Sequence, residues 1–492
     1  MRLLLINTPI ERENILGQFN QIYDDLKMVP IGLAYLASVA RKNGIEVKIL
    51  DQYAECISMP SIEKMIKDFS PNLIGFSSTT PNYFAAINMV RHLKRVFPDI
   101  KTVMGGQHPS IFPDKVLKND EVDYVIRDEG EYSLVALCNA IQNSNYNLAH
   151  IDGLSYKDST GKTVHNKQSA SVVLDDLPWP AYDLLPMHLY SSPSYTRFAL
   201  PVYQMSASRG CPNQCTYCIN AELNIAAKYR RRNIDDVLDE MEMLVNQYDA
   251  KQIQFWDPIF PLGKTYTFEF CEKLIERGLN KKIVWNSTTY AEFLSEELIT
   301  VMARSGCKGL GFGIESGVPE LLKSVNKKVN FNHLREMCRI ARKKNIVVAG
   351  AFILGFPGET RDMTQQTIDF AKSLDIHYAQ FSIMVPYPGT PLYKELHEKG
   401  EIVDSGEDDY VRYNQSIGLT DLEPIYISKG RNWEELKAMQ KQAYTQFYFR
   451  PRLFLMHIPH LRPQLFLRMI KSFLAVVGLL LKKTNKKNNS KL

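Results

Sequence analysis

Short apolar runs alternate with longer amphipathic stretches along this chain. Leu3-Leu4-Leu5-Ile6, Val47-Lys48-Ile49-Leu50, Leu73-Ile74-Gly75-Phe76, Thr102-Val103-Met104 and Asp123-Tyr124-Val125-Ile126 have the brevity of strands buried in a parallel sheet. Between them lie helical patterns. One starts at Pro30, runs through Leu33, Leu36, Ala37 and Ala40, and stops at Gly44; others cover Ile62 to Phe69 and Ala85 to Val96. The alternation predicts an α/β, doubly wound parallel sheet over residues 1–150. A second series follows: Val202 to Ala207, Gln252 to Trp256, Lys282 to Asn286, Gly309 to Gly313, Val347 to Leu354 and Tyr378 to Met384. The helical pattern from Ile234 to Tyr248, with Val237, Leu238, Met241, Leu244 and Val245, is one of its separators. About six βα repeats predict a partial (β/α)6 barrel over residues 196–405.

Residues 151–195 lack sustained periodicity and read as a linker. It holds a hairpin turn at Asp158-Ser159-Thr160-Gly161 and an extended bridge, Asp175 to Pro180, in which each Pro keeps its predecessor out of helix. Trp179 is expected to pack between domains. Residues 406–492 read as mainly helical, with a pattern from Trp433 to Tyr448 and then an apolar run from Leu465 to Leu481 broken by Arg468 and Lys471. That run suits either a helix packed on the barrel or one lying in a membrane interface, its basic end near anionic lipid.

Composition changes this picture little. A length of 492 residues suits about three domains, and 45% hydrophobic content is ordinary for packed cores. The net charge of +5 is accounted for by Lys482, Lys483, Lys486, Lys487 and Lys491 at the C-terminus, so no general nucleic-acid footprint is expected. The opening residues read as a strand and not as a signal peptide, and no apolar run reaches bilayer length, so a cytoplasmic protein is expected. Cys56, Cys138, Cys271, Cys307 and Cys338 are scattered and expected as free core thiols.

The other three of the eight cysteines carry chemistry. Cys211, Cys215 and Cys218 stand at Cys-x3-Cys-x2-Cys spacing in Ser208-Arg209-Gly210-Cys211-Pro212-Asn213-Gln214-Cys215-Thr216-Tyr217-Cys218. Three thiolates hold three irons of a [4Fe–4S] cluster and leave the fourth iron open to another ligand. Structural zinc wants four ligands, commonly as two pairs, and no second Cys-x2-Cys pair exists here. Small and polar residues also collect at strand ends. In the first domain these are Ser77, Ser78, Thr79, Gly105 and Gly106, where open sheets bind ligands. Ordinary turns of a plain flavodoxin-like domain would use the same residues. In the barrel they are Asp257, Gly313, Glu315, Ser316 and Gly355-Phe356-Pro357-Gly358. Asp257 is placed to bond a ribose or to cap the next helix.

The cysteine stretch, with aromatic Tyr217 before its last ligand, resembles the radical S-adenosylmethionine (SAM) signature. The resemblance implies that the open iron chelates SAM, and that one electron cleaves it to a 5′-deoxyadenosyl radical. It implies a SAM site made by Tyr217, Asp257, Gly313, Glu315, Ser316, Gly355, Pro357 and Gly358, with Arg339 and Arg361 as candidates for its carboxylate. Gly105-Gly106-Gln107-His108-Pro109 and Arg127-Asp128-Glu129-Gly130-Glu131 resemble the Rossmann-like cobalamin-binding domain of class B radical SAM enzymes. Ser77, Ser78, Thr79, Gly105, Gly106, His108, Gly130 and Glu131 are the corresponding cobalamin contacts. Asp-x-His-x-x-Gly is absent after the first strand, which implies a corrin held without a lower histidine. His108 is read as a turn or pocket residue ahead of a cobalt ligand. Pro386-Tyr387-Pro388-Gly389-Thr390-Pro391 resembles the end of the same barrel, so the resemblance covers roughly residues 1–400.

In that class the cofactors are the cluster, SAM and cobalamin, and the partner is a reducing donor of flavodoxin or ferredoxin type. The expected activity is methyl transfer through methylcobalamin to an unactivated carbon of a lipid, tetrapyrrole or other natural product. The alternative is oxidative cyclisation of the anaerobic magnesium-protoporphyrin monomethyl ester type. A corrinoid-binding or Fe–S electron carrier would need neither Glu315 nor a whole barrel. Methylthiolation of tRNA would call for three more cluster cysteines in the first domain, which has only Cys56 and Cys138.

Overall fold

The apolar runs become strands. The computed structural model describes residues 1–9, 27–143, 147–192, 196–221, 229–402, 407–414 and 422–451, with 453 and 456. β1 (Arg2–Asn7), β2 (Glu46–Asp51), β3 (Leu73–Ser77), β4 (Lys101–Gly105) and β5 (Tyr124–Ile126) pair in parallel. Helices Ile31–Lys42, Met59–Phe69, Tyr83–Val96 and Glu131–Gln142 separate or follow them. Chain reversal between β1 and β3 in the order β2-β1-β3-β4-β5 opens a crevice at the strands' carboxyl ends.

One boundary needs correction. β6 (Leu154–Lys157) and β7 (Thr163–His165) form the expected hairpin, with Asp158 Oδ1 accepting from the amides of Thr160 and Lys162. The hairpin is not linker, however. It adds antiparallel to β5 and completes a seven-stranded sheet. A three-residue β5 would otherwise leave an open edge. Trp179 bridges the two layers as expected. Its indole donates to Asp236 at 2.9 Å, and its carbonyl accepts from Ser38 at 2.6 Å.

The second sheet has six parallel strands in the order β15-β14-β13-β12-β11-β8. They are β8 (Val202–Met205), β11 (Gln252–Phe255), β12 (Val284–Thr289), β13 (Cys307–Glu315), β14 (Val347–Leu354) and β15 (Tyr378–Ile383). Between β8 and β11 lies a small ribbon, β9 (Ser208–Arg209) with β10 (Arg230–Arg231). This is the expected partial barrel, unclosed between β8 and β15. Its two faces differ. Phe255, Trp285, Leu310, Phe312, Ile314, Val348, Phe352 and Phe381 are buried on one. On the other, Gly311, Gly313, Ala349, Ala351, Ile353 and Ser382 are half-buried, and Thr288 and Gln380 are exposed. Phe255 packs on Phe260, Phe270 and Trp285, so strand alternation puts Trp256, 44% exposed, on the open face.

Residues 1–444 form one unit and residues 445–492 a second. Within the first, Gln440, on the helix that begins at Trp433, donates to the Phe381 carbonyl at 2.7 Å, which holds that stretch against β15. Cys138, Cys271, Cys307 and Cys338 are core thiols as expected, but Cys56 is exposed. The apolar run from Leu465 to Leu481 and the lysine tail lie outside the described residues. Among the described residues no helix is long and apolar enough to cross a membrane.

Candidate active site

The cysteine loop leaves β9 and is held by three hydrogen bonds from two neighbouring segments. Thr216 N donates to Val325 O at 3.0 Å, Asn326 Nδ2 donates to Gln214 O at 2.8 Å, and Leu392 N donates to Thr216 O at 3.0 Å. The last contact comes from the helix Pro391–Glu398, which explains the rigid Pro-Gly run before it. Cys211, Cys215 and Cys218 share one loop, and each of the latter two feels the charge of Cys211. Burial pushes all three thiols up, Cys218 to about 11, so binding iron must displace protons from them. Among the described residues no three His, Cys, Asp or Glu side chains converge tightly enough for a single ion. Thiolates on three separate irons need no such convergence, so the donor set fits a cluster.

Glu315 stands beside this loop. It ends β13 after a register shift and is held at φ 69°, a left-handed conformation that costs about 1 kcal/mol in a non-glycine residue. Its Oε1 accepts from Lys327 Nζ at 3.4 Å, and it also hydrogen-bonds the Tyr217 hydroxyl. A Cβ on Gly313 would come within 2.6 Å of Glu315 Oε1, so a larger residue there would push that carboxylate aside. Lys327 lies over the Tyr290 ring at 4.9 Å, and its charge reaches both Cys211 and Cys215. Tyr217 meets Phe356 edge to face at 6.1 Å, which brings the 355–358 turn to the same place. Glu359 shapes that turn: its Oε2 accepts from Gly355 N at 2.7 Å and Phe356 N at 2.8 Å, and its Oε1 accepts from Thr364 Oγ1.

The structure therefore brings Tyr217, Gly313 and Glu315 beside the cysteines, and the turn of Gly355, Pro357 and Gly358 approaches through the contact of Phe356 with Tyr217. Other expected contacts go elsewhere. Ser316 is fully buried, with Oγ engaged to Thr367 Oγ1 and Val318 N, so it fastens the turn after β13. The Asp257 oxygens accept from Ala207 N at 3.2 Å and from the Ser208 hydroxyl, which makes Asp257 a latch for the strand entering the cysteine loop and not a ribose partner. Arg339 is exposed and pairs with Glu336, and Arg361 is exposed at a helix start. Lys327 is the buried cation at the site, and no sequence pattern marked it, since it sits in a lysine pair that reads as an exposed turn.

Burial raises the Asp257 carboxyl to about 7, against the lowering effect of its hydrogen bonds. Its folded value lies above the unfolded one, so its contribution to stability is complete at low pH and is lost as pH rises from about 4 through 7. The apo chain is accordingly expected to lose about 2–4 kcal/mol relative to Asp257→Asn between pH 5 and pH 8, measured by urea unfolding at each pH.

The crevice of the first sheet forms a cleft of about 280 Å³. Ser77, Gly105, Gly106, Gly130 and Glu131 line it, with Tyr35 and Glu129. Ser206 and Arg209, from the segment entering the cysteine loop, line it too. Gly106 has φ 99°, and a Cβ there would strike the Ser78 carbonyl at 2.6 Å. Glu131 is 4% exposed and its Oε2 has no partner. A glycine cradle and an orphaned acceptor fit a ligand rich in amide donors, as the corrin periphery is. Ser78, Thr79 and His108 do not line the cleft. Ser78 is buried beside Gly106, and Thr79 caps the turn Thr80–Asn82. His108 is fully buried among Tyr83, Phe112 and Tyr410, with Nδ1 3.3 Å from Thr80 Oγ1, and burial lowers it to about 3. It is a core histidine.

Two family models match. Residues 24–138 fit the B12 binding domain, and residues 205–371 fit the radical SAM superfamily. An uncharacterized methyltransferase of Pyrococcus horikoshii is 32% identical over 93% of this chain and 95% of its own. The anaerobic magnesium-protoporphyrin IX monomethyl ester cyclase of Cereibacter sphaeroides is 26% identical over 87% of this chain and 68% of its own. The fold is that of the radical SAM methyltransferase TsrM from Kitasatospora setae, with a TM-score of 0.71 and 18% identity over 92% of this chain and 91% of that one. With a cleft of the B12-binding type set against a three-cysteine barrel loop, the chain belongs to the cobalamin-dependent radical SAM enzymes.

Proposed function

We propose that this enzyme transfers a SAM-derived methyl group to an unactivated carbon of an uncharged natural product, a lipid or tetrapyrrole body. One observation carries the reading: Ser206 and Arg209 share in lining the cleft of the first sheet, so a corrin there would lie next to the chain that becomes the cysteine loop. The cofactors, when bound, supply a strong one-electron reductant, a radical source and a methyl carrier. The protein's own residues orient and insulate. Cys211, Cys215 and Cys218 would hold the cluster. Glu315 and Lys327 present one charge each to the oppositely charged ammonium and carboxylate of SAM, and Glu359 holds the 355–358 turn against it. The open barrel face suits an uncharged substrate, because Trp256, Thr288, Ala349, Ala351, Ile353, Gln380 and Ser382 carry no charge.

The second reading is oxidative cyclisation, favoured by the similarity to the cyclase over most of the chain. Enzyme reconstituted anaerobically with iron, sulfide and hydroxocobalamin, then given reductant, methyl-labelled SAM and separate lipid and pigment extracts, distinguishes them. Label entering a product alongside 5′-deoxyadenosine is the expected result. Deoxyadenosine with an unlabelled, oxidised product assigns cyclisation, and absence of deoxyadenosine overturns both readings.

A further inference from the structure

We propose that Arg209 is a positioning residue that couples occupancy of the cobalamin cleft to the cysteine loop, with Glu131 as the cleft's sensing acceptor. The inference rests on the corrin reading above and adds a linkage to it. Arg209 closes β9 and stands two residues before Cys211. Its guanidinium reaches across to the first domain, donating to Glu131 Oε1 at 2.7 Å and Glu129 Oε1 at 3.1 Å, and it lies over the Tyr35 ring at 5.0 Å. Arg230, its partner across the ribbon, donates to both Glu129 oxygens, at 2.7 and 2.9 Å. Glu129 Oε2 also accepts from Val172 N at 2.9 Å. Two guanidiniums and two carboxylates thus form one largely buried, charge-balanced knot.

Among the carboxylate oxygens of the knot, one is left over. Glu129 uses both oxygens on the protein. Glu131 uses only Oε1, and its Oε2 is buried without a partner beside the glycines that line the cleft. A buried, unsatisfied carboxylate oxygen is unfavourable, and an N–H donor from a ligand would remove that cost. The corrin's acetamide and propionamide groups are donors of that kind. Accepting one polarises the carboxylate whose other oxygen holds Arg209. Arg209 is joined to the first cluster ligand through a single residue, Gly210, so a ligand in the cleft is felt at the loop.

The test titrates hydroxocobalamin into the anaerobically reconstituted full chain without substrate and follows corrin absorbance and the electron paramagnetic resonance of the reduced cluster. The wild type is expected to bind and to change the cluster g-values on loading. Glu131→Gln should bind about 10-fold more weakly. Arg209→Lys should bind within about threefold of wild type, keep four irons per chain and lose the g-value change. Failure of the wild type to bind hydroxocobalamin overturns the corrin reading itself. Binding without any change in the cluster signal overturns only the coupling, and so do variants that retain wild-type affinity and response. The wild-type comparison stands even where a variant fails to fold.

Discussion

Cys215→Ala, reconstituted anaerobically with iron and sulfide, is expected to form no 5′-deoxyadenosine with SAM and dithionite. Its iron content should fall from about four per chain to below one, and the broad thiolate-to-iron absorbance should vanish. The expectation follows from the ligand count. Three thiolates from one loop are the whole protein share of the cluster, and losing one leaves two iron sites without protein ligands. Cys215 is the most buried of the three, 6% exposed, so no outside thiol can replace it. Far-ultraviolet circular dichroism should match the wild type, because the loop is fastened by Val325, Asn326 and Leu392 through backbone atoms and Asn326 Nδ2, and not through the cysteine side chain. Full deoxyadenosine yield in the variant would remove the cluster from the mechanism.

Glu315→Gln and Lys327→Met should each weaken SAM binding by about 10- to 100-fold while leaving four irons in place, as read by equilibrium dialysis and iron analysis. Each removes one charge-assisted contact to a zwitterionic ligand. Both side chains are about nine-tenths buried and 3.4 Å apart, so each single change also strands the other charge. Breaking a buried pair this way costs about 3–5 kcal/mol of stability, whereas removing both charges leaves neither unpaired. The double variant should therefore unfold later than either single one while binding SAM no better. Equal additive losses in stability would show that the pair is not coupled. Unchanged SAM affinity in all three would place SAM elsewhere.

Most elements of the fold were legible because the strands β1–β5 and those of the second sheet pair in parallel as short apolar runs. β14 (Val347–Leu354) and the helix Ile234–Tyr248 have the limits read from periodicity alone. The hairpin β6–β7 was legible as a turn but not as sheet. The antiparallel strands Leu154–Lys157 and Thr163–His165 are short and half-polar, and nothing local says which side of the sheet they join.

The site divides in the same way. Cys211, Cys215, Cys218 and Tyr217 act through spacing within one loop. Spacing is a property of the sequence, so the cluster and the class of chemistry were determined there. Glu315 and the 355–358 turn were marked by glycine and a carboxylate at strand ends, which local chemistry again supplies. Lys327, the Asp257 latch, the burial of Ser316 and the withdrawal of His108 into an aromatic core were decided only by the tertiary structure. A Lys, Asp, Ser or His has the same letters whether it faces a site or is turned to neighbours that only folding supplies, here the Glu315 carboxylate beside Lys327, Ala207 with Ser208, Thr367, and an aromatic pocket with Thr80. The knot of Arg209 with Glu129 and Glu131 is the extreme case. Its halves lie about eighty residues apart, and only the packing of one sheet's crevice against the other's entry strand makes them a single charged unit.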